Sequence, residues 1–288
     1  MTQQTTLTVA IQGFKGSYHE IATYNFFKNN HVTTQYCASF DNIFSAIEQN
    51  PLSTIGILAI ENTIAGTLLY NNELLWQSNT KIVGEIKLRI KHCIACLPSD
   101  SLETITEINS HPIALMQCRS FIETMQGVKV VESEDTALSA QNIAENNLHH
   151  HAAICSEKAA EDFGLKILAR SIETNQHNFT RFLVVANDSI AEQIKQMIST
   201  KVDKANIAFT LPHNQGCLSQ VLSLLSFYKL NLTKIQSLPI IGREWEYQFF
   251  VDLTFDNHER FNQALAAVKP LVAELRNLGT YSQGETYL

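Results

Sequence analysis

The chain has 288 residues, 45% of them hydrophobic, which suffices for one large domain or two ordinary ones. Its 21 Lys and Arg against 28 Asp and Glu give a formal charge of −7, and no run of Lys and Arg builds a basic face, so nucleic-acid binding is not expected. The start "MTQQTTLTVAIQG" has neither a basic leader nor an apolar core before small residues, and no apolar run approaches the ~18 residues of a membrane span. A cytoplasmic protein that engages no membrane is expected.

In chain order, "LTVAIQG" reads as a strand and "SYHEIATYNFF" as an amphipathic helix. The turn between them, "QGFKGSYHE", offers backbone N–H groups and a helix dipole to an anion, although it matches neither a P-loop nor the dinucleotide fingerprint. Gly13, Gly16 and Ser17 therefore read either as a tight turn with an N-cap or as an anion site. "TIGILAIE" has the pattern of a buried parallel strand whose carboxyl end opens on a cleft. It delivers Glu61, Asn62 and Thr63 together, before the helix-like "LLYNNELLWQ", and three such side chains need partners.

"KIVGEIKLRIKHCIACLP" reads as one or two longer strands, within which Cys93 and Cys96 have CxxC spacing. Strand alternation would point them to opposite faces, and no second CxxC or His pair completes a tetrahedral set, so they are expected as plain thiols rather than a metal or redox site. The remaining cysteines, Cys37, Cys118, Cys155 and Cys217, are scattered and suit reduced, half-buried thiols. "INSHPIALMQCRSF" places Ser110 and His111 before Pro112 and an amphipathic run bearing Gln117, a loop entering a helix. No nucleophile elbow accompanies Ser110. "TALSAQNIAENNL" is helix-like, His149, His150 and His151 fall in a solvated loop, and "AAICSEKAAEDFGL" is a strand feeding a helix that ends near Gly164. "NFTRFLVV" then brings Arg181, charged at any relevant pH and able to pair a carboxylate in two-pronged fashion.

The polar stretch "NDSIAEQIKQMISTKVDK" marks a domain boundary. After it come "ANIAFTLP" as a strand, "GCLSQVLSLLSFYKL" as a helix, "NLTKIQSLPI" and "EYQFFVDLTF" as strands, "ERFNQALAAVKPLVAELRNL" as a helix and a possible final strand. That order, βαββαβ, is the split ferredoxin-like arrangement, whose open edges pair readily with another copy. A homo-oligomer is expected.

Four motifs thus stand in order, "GFKGSYHEIA", "IENTIAGTL", "SHPIALMQC" and "NFTRFLVV", and they resemble the signature stretches of prephenate dehydratase. "NQGCLSQVL" and "KIQSLPIIGREWEYQFFVDL" resemble the ACT regulatory domain that follows in that family. The resemblance implies an α/β chain in which a two-lobed catalytic domain, built like type II periplasmic binding proteins, spans residues 1–187. A linker over 188–204 and a ferredoxin-like ACT domain over 205–288 complete it. It implies conversion of prephenate to phenylpyruvate, carbon dioxide and water in phenylalanine biosynthesis, without metal or organic cofactor, in a homodimer or tetramer. Thr180 is then the residue that hydrogen-bonds the departing hydroxyl and Arg181 the one that meets a carboxylate, both catalytic. Ser17, Glu61, Asn62, Thr63, Ser110, His111, Gln117 and Phe182 are carried over as substrate contacts. L-Phenylalanine is the implied effector, at Asn214, Gly216, Cys217, Leu218, Gln236, Ser237 and Leu238.

This sequence departs from the family's usual Gly-Pro-x-Gly-Thr-Phe-Ser by Phe14, Ser17, Tyr18 and His19, and has Ile113 where Gln is usual. Gln236 and Leu238 replace the Glu and Arg of the regulatory Glu-Ser-Arg-Pro stretch. Arogenate dehydratase, which runs the same chemistry on an amine-bearing substrate, is the nearest rival reading, and a non-catalytic amino-acid sensor is another.

Overall fold

A computed structural model describes residues 7–28, 32–198, 201–212 and 214–288. The chain begins with strand β1 (Leu7–Gln12), helix α1 (Tyr18–Phe27), β2 (Val32–Cys37), α2 (Phe40–Gln49), β3 (Thr54–Asn62) and the short β4 (Gly66–Thr67). It continues through α3 (Leu69–Gln77), β5 (Thr80–Arg89), β6 (Cys93–Cys96), β7 (Glu107–Ser110), α4 (Pro112–Gln117), α5 (Arg119–Ile122) and β8 (Lys129–Glu132). Next are α6 (Thr136–Glu145), β9 (His151–Cys155), α7 (Glu157–Asp162), β10 (Lys166–Arg170), β11 (Phe179–Asn187) and α8 (Ala191–Ile198). The last elements are β12 (Lys204–Leu211), α9 (Cys217–Phe227), β13 (Asn231–Pro239), β14 (Tyr247–Thr254), α10 (His258–Val268), β15 (Glu274–Tyr281) and β16 (Thr286–Tyr287).

Two compact units result, one from residues 1–67, 86–182 and 286–288, the other from 68–85 and 183–285. The first contains two sheets. One has the order β16-β5-β11-β3-β1-β2, with β5 and β11 running on past the unit's bounds. β1 pairs in parallel with β2 on one side and β3 on the other. The strand order therefore reverses at β1, and the carboxyl ends of β1 and β3 flank a topological switch point, where open α/β sheets bind ligands. "GFKGS" follows β1 there and "ENT" closes β3, as the apolar run of that strand predicts.

The second sheet, β10-β6-β9-β7-β8, is covered on both faces. Cys93, Ala95, Ala153 and Cys155 pack with Ala137, Ala140 and Ile143 of α6 and Ala159 and Ala160 of α7. Ile94, Cys96, Ala152 and Ile154 pack with Ala114 and Leu115 of α4. Cys93 and Cys96 thus face opposite sides of β6, as alternation requires, and the Cys93 sulfur lies 4.0 Å from that of Cys155. His149 and His150 are exposed in a turn, whereas His151 opens β9, so the expected loop of three histidines holds only two.

The other unit has β12-α9-β13-β14-α10-β15 in the split order, its antiparallel sheet running β13-β14-β12-β15. Phe209, Val221, Val251 and Phe261 form its core, and β13 is an edge strand. The stretch expected as one helix to Leu278 ends at Val268: Pro270 lacks the N–H that a further turn needs, and the chain re-enters the sheet at Glu274. The linker expected over 188–204 carries α8, while its residues 199 and 200 lie outside the described residues.

Residues 68–85 join this unit through specific contacts. The Arg276 guanidinium lies over the Trp76 ring and donates to the carbonyls of Trp76 and Ser78, and the Lys81 ammonium donates to the Asn277 carbonyl at 2.7 Å. Buried Glu85 accepts from the Lys204 ammonium at 2.7 and 2.9 Å and from the Gly284 amide at 3.0 Å. At Gly279 a Cβ would lie 2.2 Å from the Ile82 carbonyl oxygen, so only glycine lets β15 approach there.

Candidate active site

β3 and β11 deliver the polar residues of the first unit in two diverging pairs, because successive residues of a strand face opposite ways. Glu61 meets Arg181, whose Nε lies 2.6 Å from the carboxylate. On the other side, the Asn62 side-chain amide donates to Thr180 Oγ1 at 3.0 Å. Thr180 and Arg181, expected to face one substrate together, therefore point apart, and the charge that Arg181 meets in the structure is Glu61. Glu61, Asn62, Thr63, Phe179 and Arg181 line a cavity of 550 Å³ with Lys87. Thr63 Oγ1 donates to the His177 carbonyl and accepts from the Phe179 amide, tying the two strand ends together.

Around Thr180, Asn178 and Gln117 are buried and Asn62 is half-buried, and their side chains satisfy one another. Asn62 Oδ1 accepts from the amides of Ile64 at 2.9 Å and Ala65 at 2.8 Å, and from Gln117 Nε2 at 3.4 Å. Its Nδ2 hydrogens are shared among Thr180 Oγ1, Asn178 Oδ1 at 2.7 Å and the Phe179 carbonyl at 3.2 Å. Gln117, in the last turn of α4, takes the Asn178 amide hydrogen on its Oε1 at 2.9 Å. A hydroxyl that accepts from an amide keeps its own hydrogen, and among the described residues no acceptor takes it. Thr180 can offer it to a ligand.

Behind this group lie residues that the sequence reading does not name as contacts. His92 Nε2 is 2.9 Å from Gln117 Oε1, and its Nδ1 is 2.8 Å from the Tyr18 hydroxyl. Burial lowers the His92 pKa against the raising effects of its bond to Gln117 and the charge of Glu173, while burial pushes the Tyr18 phenol well up. Glu173 accepts the His92 backbone N–H at 3.0 Å and faces Arg89 at 3.4 Å. Asn178 stands two residues before Thr180, with Phe179 between them, so its polarity within a buried motif was the available signal. His92 gives no such signal at the end of an alternating run.

The first-motif departures acquire partners. Phe14 packs against the α6/α7 face of the second sheet, and His19 Nε2 accepts from the Ala59 amide at 3.3 Å while its ring meets Phe182 edge-on. Phe182, two residues after Thr180 in β11, is buried. Ser17 is a buried N-cap of α1, accepting from the Glu20 amide, and the Gly16 amide donates to the Glu20 carboxylate at 2.6 Å. Gly16 has φ +82°, and a Cβ there would lie 2.5 Å from the Ala159 backbone. Ser110 donates to the Ile154 carbonyl at 2.6 Å, and His111 caps α4 by accepting from the Ile113 amide. Of the predicted contacts, then, the structure gathers Asn62, Gln117 and Thr180 in one hydrogen-bonded group and Glu61, Thr63 and Arg181 in the adjoining cavity. It uses Ser17, Ser110 and His111 to fix loops and caps.

Burial drives the His19 pKa down to about 4. The unfolded imidazole binds its proton near 6.5, so stability contributed by neutral His19 is full above that pH and falls as pH drops toward 4. Discounted for partial exposure, the loss is about 2 kcal/mol. Urea unfolding at pH 7 and pH 4.5 should show this slope flattened in His19→Asn, and an unchanged slope would refute the assignment.

In the second unit, Asn214, Gly216, Cys217 and Leu218 line a cavity of 800 Å³ at the start of α9, with Ser219, Leu222, Ser223 and Ser226. Gln236, Ser237 and Leu238 lie elsewhere, on the edge strand β13. Among the described residues no cluster of His, Cys, Asp or Glu could hold a metal ion, and no helix is long and apolar enough to cross a membrane.

Two sheets meeting around the Thr180 hydroxyl and its amide neighbours, followed by a ferredoxin-like unit, define a protein of the two-lobed α/β class. A family model described as prephenate dehydratase matches residues 9–190, and the chain belongs to that family. Arogenate dehydratase 5, chloroplastic, of Arabidopsis thaliana is 35% identical over 299 residues, covering 98% of this chain and 68% of its own. The bifunctional chorismate mutase/prephenate dehydratase of Aquifex aeolicus (strain VF5) is 35% identical over 279 residues, covering 96% and 73%. Among solved structures, GqqA, described as a novel type of quorum quenching acylase, superposes with a TM-score of 0.84 at 26% identity over 96% of this chain and 98% of its own. Prephenate dehydratase of Arthrobacter aurescens in complex with L-Phe superposes with 0.82 at 23% identity, over 96% and 90%.

Proposed function

We propose that this chain converts prephenate to phenylpyruvate, carbon dioxide and water. The hydrogen bond from Asn62 Nδ2 to Thr180 Oγ1 carries the reading, because it leaves the Thr180 hydrogen to be offered to the departing ring hydroxyl. The bond from ring to carboxylate breaks, its electron pair enters the ring, and the ring's C–O bond breaks as the ring becomes aromatic. Hydroxide leaves poorly, so a positioned hydrogen-bond donor accelerates this step, while aromatisation removes the need for an electron sink. Threonine is too weak an acid to supply the proton alone and acts as a relay. A keto acid is favoured over arogenate because the carboxylates of the region, Glu61 and Glu173, already face Arg181 and Arg89, and an ammonium would need such a partner.

The functional division proposed is a catalytic domain over 1–187, a linker over 188–204 and an ACT domain over 205–288. L-Phenylalanine is the proposed effector, at the cavity beginning α9, and a homodimer or tetramer formed through edge strand β13 would bring Gln236, Ser237 and Leu238 of a second copy to it. The L-Phe complex of the Arthrobacter aurescens protein supports that choice.

Phenylpyruvate formation from prephenate, measured beside phenylalanine formation from arogenate, tests the proposal. A kcat/KM at least about tenfold higher on prephenate is expected, with the rate altered by added L-phenylalanine. The reverse order reassigns the substrate, and no turnover on either removes the reading.

A further inference from the structure

The amides around Thr180 close a directional ring: Asn62 Nδ2 donates to Asn178 Oδ1, Asn178 Nδ2 to Gln117 Oε1, and Gln117 Nε2 to Asn62 Oδ1. A ring of three amides can run in either sense, and the sense decides whether Thr180 meets an amide hydrogen or an amide oxygen. Two groups outside the ring set it. The backbone amides of Ile64 and Ala65 can only donate, which holds Asn62 Oδ1 toward them. At the far side, Gln117 Oε1 lies against His92 Nε2, so that nitrogen must carry a proton. In the neutral imidazole Nδ1 is then an acceptor, and the Tyr18 hydroxyl stands 2.8 Å both from it and from the Lys91 carbonyl oxygen, so its single hydrogen is shared between these two acceptors. His92 is 2% exposed and its backbone N–H is held by Glu173, so neither ring nor backbone can turn to relieve a mismatch.

We propose that His92 and Tyr18 are positioning residues: by fixing the Nε2–H tautomer of His92 they orient Gln117 and, through Asn62, the hydrogen that Thr180 presents to substrate. This rests on the reading of Thr180 as donor to the leaving hydroxyl. Neither residue touches substrate. Replacing His92 by a donor-free or misplaced group lets Gln117 turn, and a turned Gln117 sets its oxygen against Asn62 Oδ1, loosening the Asn62 contact to Thr180.

The test pairs two variants of similar polarity. His92→Gln places its amide nitrogen near the position of imidazole Nε2 and keeps a donor to Gln117. His92→Asn reaches only to the position of Nδ1. Misplacement of this kind lowers rate by up to about 10²-fold. The expected result is kcat down ~10- to 100-fold in His92→Asn with KM little changed, and most of that loss restored in His92→Gln, while the two variants melt together. Equal impairment of the two variants, or full activity of His92→Asn, would overturn the proposal. Nitrogen-15 NMR of the wild-type imidazoles reads the tautomer without any assay. A proton on Nε2 of neutral His92 sustains the positioning role, and a proton on Nδ1 refutes it even if the enzyme is active. Absence of turnover in the wild type would defeat the dehydratase reading and leave the NMR result to decide His92 separately.

Discussion

Thr180→Val should lower kcat for prephenate by ~10²-fold or more, with KM within about threefold of the wild type. Valine keeps the branched shape of a side chain that is 8% exposed, so the strand and its packing survive. What is lost is one hydroxyl. The Asn62 amide retains Asn178 Oδ1 and the Phe179 carbonyl as acceptors, so no buried donor is stranded and the stability change stays near 1 kcal/mol. Thr180→Ser, which keeps the hydroxyl on a freer rotamer, should recover all but about tenfold of the rate. Steady-state kinetics with parallel thermal melts separate the outcomes. A valine variant within a few-fold of wild type would remove Thr180 from the chemistry, and a parallel fall in melting temperature would make the loss one of folding.

Glu85→Leu carries the largest expected effect on stability. Glu85 and Lys204 are buried at 2% and 6% exposure, and the variant withdraws the carboxylate from an ammonium that stays out of water. Removing one partner of a buried pair costs about 3–5 kcal/mol, and the Gly284 amide loses its acceptor as well. Calorimetry should show the melting temperature lower by about 5–15 °C. The double variant Glu85→Leu with Lys204→Met should recover most of the loss, since two apolar groups of similar volume need no counter-charge. A single variant that melts with the wild type would mean that water reaches the pair.

The elements that can be read from sequence are those whose burial is one-dimensional. β3 and β11 are continuous apolar runs, which only a strand covered on both faces requires, and β12 to β15 follow from alternation broken by turns. The site is less legible. Asn62, Gln117 and Thr180 are visible as polar residues at motif ends, but their grouping with Tyr18, His92 and Asn178 joins positions up to 162 residues apart along the chain, and no local pattern encodes it. The divergence of Thr180 and Arg181 was within reach, since strand period alone separates neighbours. That Arg181 is met by Glu61 depends on β3 lying beside β11, which periodicity does not reveal. Ser17, Ser110 and His111 carry chemistry-bearing groups that the fold spends on caps and carbonyls, a use indistinguishable in sequence from ligand contact.

The two compact units are woven from five segments, the chain passing from one to the other after residues 67, 85, 182 and 285. The carboxyl-terminal unit is consequently not a portable cassette. A fusion that transplants residues 205–288 onto another catalytic chain opens one junction and leaves α3, the first part of β5 and Lys204 behind, stripping Arg276 of Trp76, Asn277 of Lys81 and the Gly284 amide of Glu85. Recombination that preserves both units must respect four junctions at once, so their joint inheritance is built into the thread of the chain itself.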